Sequence, residues 1–332
     1  MSLKRRLLIL LFSLSFIFSI YLFSPSITLA NSDKVYLGGI PSGFIIKTNG
    51  ALVIGINEIV TKDGICSPAK DADIKIGDLI TEFGNEKVCD MQSISKILKK
   101  SNGNPLEITV VRNGQTIKKF LTPKQDLDGN YKLGVFIRDD LHGIGTITYF
   151  TEDGNFASLG HPILDDMGNE LDIKSGSSFL CSIIGIEKGE KGKAGELKGI
   201  FIEDSKIGCI LKNTKTGIYG IVDDKYQFDK YPYLEIAKAN MGDAVIYTCI
   251  DGVNPIEYAI SIVKIDENNK ENKNFVIKIK DKRLLTITNG ILQGMSGSPI
   301  VQNGKIVGAV THVFINDPSR GFGISINKML EN

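Results

Sequence analysis

Residues 294–299 read Gly-Met-Ser-Gly-Ser-Pro and stand between two apolar segments near the C-terminus. Gly294 and Gly297 have no Cβ, so the backbone around Ser296 can turn sharply and bring its amides close to a bound carbonyl. In such a loop Ser296 is a candidate nucleophile, and the N–H groups of Gly294 and Ser296 form a candidate oxyanion hole. A plain Gly/Ser turn explains the same six residues, so the neighbouring sequence has to decide.

The residues that follow predict a β-hairpin. Apolar segments 299–301 and 306–310 flank Asn303-Gly304, and Asn-Gly between two such segments is typical of a tight turn. An α/β-hydrolase needs glycine two positions after its serine and a helix behind it, whereas Ser298 holds that position here. The sequence therefore favours a serine loop between β-strands, as in the chymotrypsin-like peptidases with two β-barrels.

Composition sets outer limits on the function. The 332 residues suffice for two domains, and a net charge of +1 without any Trp gives no indication of nucleic-acid binding. Five cysteines are widely spaced, with no C-x-x-C pair and no Cys/His cluster. We therefore expect no metal site, and the chemistry of a serine nucleophile requires no cofactor.

The N-terminus has the pattern of an export signal. Three basic residues at 4–6 precede an apolar run over 7–23, and Ser24-Pro25 ends that run. Residues 1–30 are thus predicted to be a signal peptide or an N-terminal membrane anchor, and the length of the run allows both. In either case the rest of the chain is expected to be exported.

Residues 31–124 resemble a bacterial PDZ domain, most specifically over 67–78, Ser-Pro-Ala-Lys-Asp-Ala-Asp-Ile-Lys-Ile-Gly-Asp. In PDZ domains a peptide adds as a strand beside an edge strand, while loop amides hold its terminal carboxylate. The resemblance implies a carboxylate loop at Ser42, Gly43 and Phe44, with Ile94 and Leu98 on a helix flanking the groove. The alternative is a PDZ fold without a free-peptide ligand.

A serine nucleophile needs a base, and the chain has three histidines. His161, in a Gly-His-Pro loop upstream of the serine, gives the chain order base, acid, nucleophile of chymotrypsin-like enzymes. His142 is interpreted as a solvated turn residue, and His312 as a residue that lines the substrate cleft. His161 is therefore the predicted base.

The acid that orients this histidine is harder to identify. Asp281 ends a predicted strand ahead of Ser296, and three other aspartates compete with it: Asp165, Asp166 and Asp243. Spacing alone does not choose among the four, because most surface aspartates only support turns.

Residues 125–332 resemble the SpoIVB peptidase family of endospore-forming bacteria. The resemblance rests on Gly-His-Pro at 160–162, on Asp281, and on the stretches 290–300, 308–318 and 320–321. It implies His161 as general base, Ser296 as nucleophile and Asp281 as the acid. It also implies a mainly β chain, with a PDZ domain over 31–124 followed by a chymotrypsin-like double β-barrel peptidase domain over 125–332.

The resemblance further implies a biological setting. Family members are made in the forespore and act at its outer membrane face or in the space between forespore and mother cell. There they cleave the extracytoplasmic part of a membrane-bound regulator, and this cleavage triggers processing of a late mother-cell sigma factor. They also cleave their own N-terminal region. The alternatives are an exported PDZ scaffold without activity and an HtrA-like quality-control protease, although in the latter the PDZ domain follows the protease.

Overall fold

The structure is a computed structural model that describes residues 34–88, 91–164 and 168–332. The predicted signal peptide or anchor, Cys89, and the competing acids Asp165 and Asp166 lie outside these residues. Within them, no helix combines the length and apolar character that crossing a membrane requires. Cys66, Cys181, Cys209 and Cys249 are free thiols.

The described chain is mainly β, with short helices. Its elements, in chain order, are β1 (Lys34–Leu37), β2 (Pro41–Ile56), β3 (Ile59–Thr61), β4 (Gly64–Cys66), α1 (Pro68–Asp71), β5 (Leu79–Phe83), β6 (Glu86–Lys87), α2 (Met91–Ser101), β7 (Leu106–Arg112), β8 (Gln115–Leu121), β9 (Lys124–Gln125), β10 (Tyr131–Lys132), β11 (Val135–Phe150), β12 (Asn155–Ser158), β13 (Ile173–Glu187), β14 (Glu196–Thr214), β15 (Gly217–Val222), β16 (Tyr233–Glu235), β17 (Gly242–Thr248), β18 (Ile256–Ile265), β19 (Phe275–Ile279), α3 (Lys282–Thr288), β20 (Pro299–Gln302), β21 (Lys305–Phe314), β22 (Asp317–Ser325) and α4 (Ile326–Leu330).

The fold contains two closed six-stranded barrels. In the first, each strand pairs antiparallel with the next in the order β2, β11, β12, β15, β14, β13, and β13 returns to β2. The second barrel runs β17, β18, β19, β22, β21, β20 and closes on β17. Each barrel buries its own apolar interior, with Phe44, Ile147 and Phe156 in the first and Phe275, Ile277 and Ile300 in the second. Closure leaves neither barrel with an open sheet edge around its core.

The hairpin that defines the serine loop forms as the sequence predicts. Strands β20 and β21 pair antiparallel, and Gln302 faces Lys305 across the turn. Asn303 and Gly304 both have positive φ, 51° and 75°, which is the conformation a two-residue hairpin turn requires. The serine loop therefore enters the second barrel directly through β20.

The PDZ domain lies between two strands of the first barrel rather than ahead of it. The first half of β2 pairs with β13 and with β11 inside the barrel, whereas Ala51 and Leu52 in its second half pair with β5 of the PDZ domain. Residues 135–138 of β11 pair with 52–56 of β2, and Val135 and Ile137 pack on the PDZ core. Strands β2 and β11 thus belong to both the first barrel and the PDZ domain.

The fold class predicted from the sequence is confirmed: a mainly β chain with a PDZ domain and a chymotrypsin-like double barrel. The shared strands show, however, that the hydrophobic cores do not separate at residue 124. The segment 34–48 contributes strands to the barrel side, and 131–137 contributes side chains to the PDZ core.

Candidate active site

A cleft of about 540 Å³ lies between the two barrels and brings the predicted base and nucleophile together. Ser296 and Gly294 line it from the second barrel, and His161 lines it from the loop after β12. His142 and His312 line it as well, so all three histidines of the chain face one cleft. The prediction that His142 is a turn residue is wrong, because it lies in β11 and pairs with Ile45 of β2.

The serine loop presents two amides without partners to this cleft. Within the described residues, the N–H groups of Gly294 and Ser296 donate no hydrogen bond, whereas those of Met295 and Gly297 bond to Leu292 and Val310. Gly294 has φ of 95°, a backbone conformation that favours glycine. Two free amides, one of them the amide of the nucleophile itself, are the arrangement that stabilises an oxyanion.

Strand β11 of the first barrel fixes this loop from the side. Thr146 donates from its amide to the Ser296 carbonyl and from its hydroxyl to the Gly294 carbonyl, both at 2.9 Å. The Thr148 hydroxyl donates to the carbonyl of Gly297 at 2.8 Å. A Cβ on Gly297 would lie 2.1 Å from the Thr146 carbonyl oxygen, so only glycine permits this close approach. Neither threonine was identified from the sequence, because β-strand threonines carry no local signal of such a role.

His161 is held in the tautomer that a general base needs. Its Nδ1 lies 2.8 Å from the Pro162 carbonyl, so Nδ1 carries the proton that is donated and Nε2 is left as the acceptor. Leu159 and Gly160 precede it with φ of 67° and 70°, and a strained Leu of this kind is a feature of functional loops. Burial lowers the pKa of His161, and the Pro162 bond opposes this in part. The imidazole is therefore neutral at pH 7.

The Ser296 hydroxyl donates to the Thr311 carbonyl at 2.6 Å, rather than to His161. Thr311 and His312 form a bulge in β21, because Val310 pairs with Gly323 while Val313 pairs with Gly321. The His312 ring lies 4.7 Å from that of His161, measured between centroids. Desolvation and the neighbouring His161 lower the pKa of His312 to about 4. Attack on a substrate thus requires the serine hydroxyl to rotate away from Thr311.

The structure shows no hydrogen bond between Asp281 and His161, the contact that the triad expected from the sequence requires. Asp281 is the N-cap of α3, where its carboxylate accepts from the amides of Arg283 and Leu284. The same carboxylate pairs with the Arg283 guanidinium at 2.7 Å, and this pairing lowers the pKa of Asp281 to about 2. The reason is local: an aspartate that precedes a helix satisfies the free amides of its first turn.

We expect Asp281→Asn to leave kcat/KM for a peptide within about threefold of the wild type, since Asn caps a helix as well as Asp. A carboxylate that orients the catalytic histidine would instead lose about 10⁴-fold on the same change. Asp281→Ala removes the cap and should cost about 1 kcal/mol of unfolding free energy. Steady-state kinetics of both variants measures kcat/KM, and urea unfolding measures the unfolding free energy. A loss of activity near 10⁴-fold in the Asn variant would contradict it.

Asp243, the one other candidate acid among the described residues, makes no hydrogen bond to His161 either. Asp243 pairs with Lys280 at 2.8 Å on the surface of the second barrel. Within the described residues, Pro162 is the hydrogen-bond partner of His161, and no carboxylate bonds to its ring. Asn213, near the end of the long strand β14, holds the loop after His161 instead: its amide group bonds to both the N–H and the carbonyl of Ile163 at 2.9 Å. An asparagine near a strand end gave no signal in the sequence.

The predicted PDZ carboxylate loop is wrong. Ser42, Gly43 and Phe44 lie within β2, where both edges are paired, Gly43 facing Ile144 on one side and Phe179 on the other. Ser42 is fully buried and its hydroxyl lies 2.6 Å from that of Ser178. A central barrel strand has no free amides to offer a carboxylate. Ile94 and Leu98, in contrast, do lie on a helix, α2, and line a separate cleft of about 800 Å³.

Two known protein families together match most of the chain. Residues 129–330 match the SpoIVB peptidase S55 family, and residues 44–119 match the PDZ domain family. The SpoIVB match includes His161, Ser296 and the two free amides of Gly294 and Ser296. It also covers the greater part of both barrels.

Individual relatives are distant. A curated protein, probable 26S proteasome regulatory subunit p27 of Saccharomyces cerevisiae, is 33% identical to this chain over 76 residues. The aligned residues make up 34% of that protein, about a third of its length, and 22% of this chain. Among solved structures, the PDZ domain of the SdrC-like protein Lmo2051 from Listeria monocytogenes has 22% identity, covers 28% of this chain and 93% of that one, and has a TM-score of 0.23. The Rv3671c protease of M. tuberculosis in its active form has 14% identity, covers 57% and 72%, and has a TM-score of 0.32. On the family match, which spans more than half of its residues, this chain belongs to the SpoIVB peptidase family of serine peptidases.

Proposed function

We propose that this protein is a sporulation-specific serine endopeptidase that acts after export, between forespore and mother cell. Its substrate is the extracytoplasmic part of a membrane-bound regulator, and cleavage triggers the processing of a late mother-cell sigma factor. Membership of the SpoIVB peptidase family supports the sporulation setting. The basic and apolar pattern of residues 1–30 supports export, and the same region is the proposed site of self-cleavage.

The observation that carries the proposal is the meeting of Ser296, His161 and two free amides in one cleft. His161 Nε2 takes the proton of the Ser296 hydroxyl, and the resulting alkoxide attacks the substrate carbonyl. The amides of Gly294 and Ser296 hold the oxyanion, and His161 then protonates the leaving amine. Water hydrolyses the acyl-enzyme, with His161 again accepting a proton. The Pro162 carbonyl keeps Nδ1 protonated throughout.

A fluorophosphonate probe tests the nucleophile directly. We expect it to label wild-type chain, expressed from residue 31, on Ser296, and peptide mapping by mass spectrometry should place the adduct there. Intact-mass measurements over time should show fragments of the wild type whose ends report the cleavage specificity. Labelling at another residue would contradict the assignment of Ser296.

One observation favours a second candidate, an exported PDZ scaffold without activity. The Ser296 hydroxyl bonds to Thr311 and not to His161, so the resting arrangement is not poised for attack. A chain that neither reacts with the probe nor fragments, with or without a membrane fraction from sporulating cells, would support the scaffold.

A further inference from the structure

The two candidate oxyanion amides, those of Gly294 and Ser296, are held in different ways. Each amide shares a planar peptide group with the carbonyl of the residue before it, and the two polar bonds of that group point in opposite directions. The partner of the carbonyl therefore sets the direction of the N–H. For Ser296 the carbonyl is that of Met295, which accepts from the Ser298 amide at 3.0 Å. The serine loop thus fixes this donor by itself.

The Gly294 donor depends instead on a distant part of the chain. The carbonyl that shares its peptide group is that of Gln293, and this carbonyl accepts from the Leu197 amide at 2.9 Å. The Gln293 amide donates in turn to the Gly195 carbonyl at 2.8 Å. Both polar groups of the Gln293 backbone are therefore bound at the start of β14, a strand that belongs to the other barrel.

Local sterics do not fix the peptide group between Gln293 and Gly294. Glycine populates positive and negative φ about equally, so Gly294, with φ of 95°, offers little resistance to rotation of this group. The Leu197 side chain packs against the glycine, because a Cβ at position 294 would lie 3.1 Å from the Leu197 Cβ. Leu197 therefore restrains, by its amide and by its side chain, a peptide group that glycine leaves free to turn.

Leu197 belongs to a hairpin that leaves the first barrel. Strand β2 pairs with β13 only as far as Leu180, and β15 pairs with β14 only from Gly208 onward. The hairpin over residues 181–201, which we call the arm, continues beyond the barrel as a ribbon of two strands. Its length allows one barrel to reach the serine loop of the other.

The middle of the arm is fixed to the second barrel. Ile183 exchanges two backbone hydrogen bonds with Gly252, which follows β17, at 2.7 and 2.9 Å. The side chains of Ile183 and Leu197 are both buried in the core of the second barrel. The arm is therefore part of the packing on which the serine loop stands.

The tip of the arm is fixed on both sides of the catalytic cleft. Ahead of the serine loop, the Gly189 amide donates to the Thr288 carbonyl at 3.1 Å, and the Asn289 side chain donates to the Gly189 carbonyl at 2.6 Å. On the other side, the Gly192 amide donates at 2.8 Å to the carbonyl of Ile315, which lines the cleft. These bonds hold the arm in the position from which residues 195–197 reach Gln293.

We propose that the arm positions the oxyanion hole, with Leu197 and Gly195 as its positioning residues. Their backbone bonds to Gln293 keep the Gly294 N–H directed at the substrate carbonyl. When the arm is displaced, the peptide group between Gln293 and Gly294 turns, and the amide of Ser296 is left as the single oxyanion donor. This role rests on the proposed peptidase reaction, in which the Gly294 amide holds the oxyanion.

Replacing one backbone amide by an ester removes its N–H and leaves the side chain in place. Nonsense suppression introduces the α-hydroxy analogue of leucine at Leu197 of the full-length chain and, as the matched control, the α-hydroxy analogue of isoleucine at Ile183. Both residues are buried in the same core, and each ester removes one backbone bond from the arm to the second barrel. Of these two bonds, only that of Leu197 reaches the serine loop. Urea unfolding should show a similar loss of stability in both.

The activity of the two esters is measured as the rate of Ser296 labelling by a saturating fluorophosphonate, whose phosphoryl oxygen occupies the oxyanion position. We expect the Leu197 ester to react at least about tenfold more slowly than the wild type and the Ile183 ester to stay within about twofold of it, because an oxyanion donor contributes more to the rate than an ordinary hydrogen bond. The midpoint of the pH dependence should not move, since His161 is unchanged. Equal slowing in both esters would indicate a merely structural arm and overturn the proposal.

A pair of glycine substitutions tests the arm by ordinary mutagenesis. A Cβ at Gly195 would lie 2.3 Å from the Glu187 carbonyl oxygen, so Gly195→Ala forces the start of β14 to shift. On the other strand of the arm, a Cβ at Gly185 would lie 3.8 Å from the Lys198 Cβ, an ordinary contact. Labelling should slow at least about tenfold in Gly195→Ala and stay unchanged in Gly185→Ala. Wild-type rates in both variants would contradict the proposal.

Failure of the proposed peptidase function gives a different result. A wild-type chain that is not labelled at any pH would count against that function, and crystal structures of the two esters would still test the arm. The Gly294 N–H should turn away from the cleft in the Leu197 ester and keep its direction in the Ile183 ester. An unchanged peptide group between Gln293 and Gly294 in the Leu197 ester would refute the positioning role, whatever the activity of the chain.

Discussion

Ser296→Ala is expected to lower peptide cleavage by on the order of 10⁶-fold, because removing the nucleophile of such a site leaves only the weak assistance of the oxyanion hole and of substrate binding. The fold should change little. The hydroxyl makes one hydrogen bond, to Thr311, and a bond of this kind is worth about 1 kcal/mol. Cleavage of a reporter peptide and urea unfolding measure the two effects separately.

The chain offers a matched control two residues away. Ser298 is fully buried, and its hydroxyl has no hydrogen-bond partner in the described residues. Ser298→Ala removes an unsatisfied buried group, so it should be neutral or slightly stabilising. We expect full activity from this variant. Comparable loss in both alanine variants would indicate that the serine loop is merely structural.

His161→Gln is expected to reduce cleavage about as much as loss of the serine, on the order of 10⁶-fold, since base and nucleophile act as a unit. Gln keeps a polar group of similar length but accepts no proton. Double substitution of His161 and Ser296 should add little to either single loss. A His161→Gln enzyme that retains a tenth of wild-type activity would exclude His161 as the base.

The pH profile of the wild type tests the same assignment. The base works only when neutral, and burial lowers the pKa of His161, so the acid limb of kcat/KM should lie below the ordinary histidine value of about 6.5. Activity should thus persist as the pH falls through 6.5 and decline only at lower pH. An acid limb at or above 6.5 would require a base with a different environment.

The sequence predicted the parts of this molecule whose signals are local. The Asn-Gly turn and the glycines beside Ser296 dictate their own conformation, and His161 follows from the scarcity of histidines together with its Gly-His-Pro loop. The family resemblance supplied the double barrel. These predictions depend on short stretches that behave alike in most surroundings.

What the sequence did not predict depends on contacts between distant segments. Asp281 fulfils the pattern of an acid upstream of the serine, but the amides of its own helix compete for its carboxylate. The resemblance to PDZ domains predicted a loop at Ser42, Gly43 and Phe44, yet pairing on both edges makes them the centre of a barrel strand. The support of the serine loop by Thr146 and Thr148 joins residues on opposite barrels, and no spacing rule marks such a pair.

The strands that the PDZ domain shares with the first barrel have a consequence for how the chain folds. The barrel cannot close until β11 meets β2, and the long segment between them makes that encounter entropically costly. The PDZ core contains the second half of β2 together with Val135 and Ile137, so its folding brings the two strands into register. In such a chain, folding of the inserted PDZ domain supplies the pairing of β2 with β11 that closes the first barrel. Mutations in the PDZ core should therefore slow formation of the barrel, although the mutated residues lie outside the barrel core.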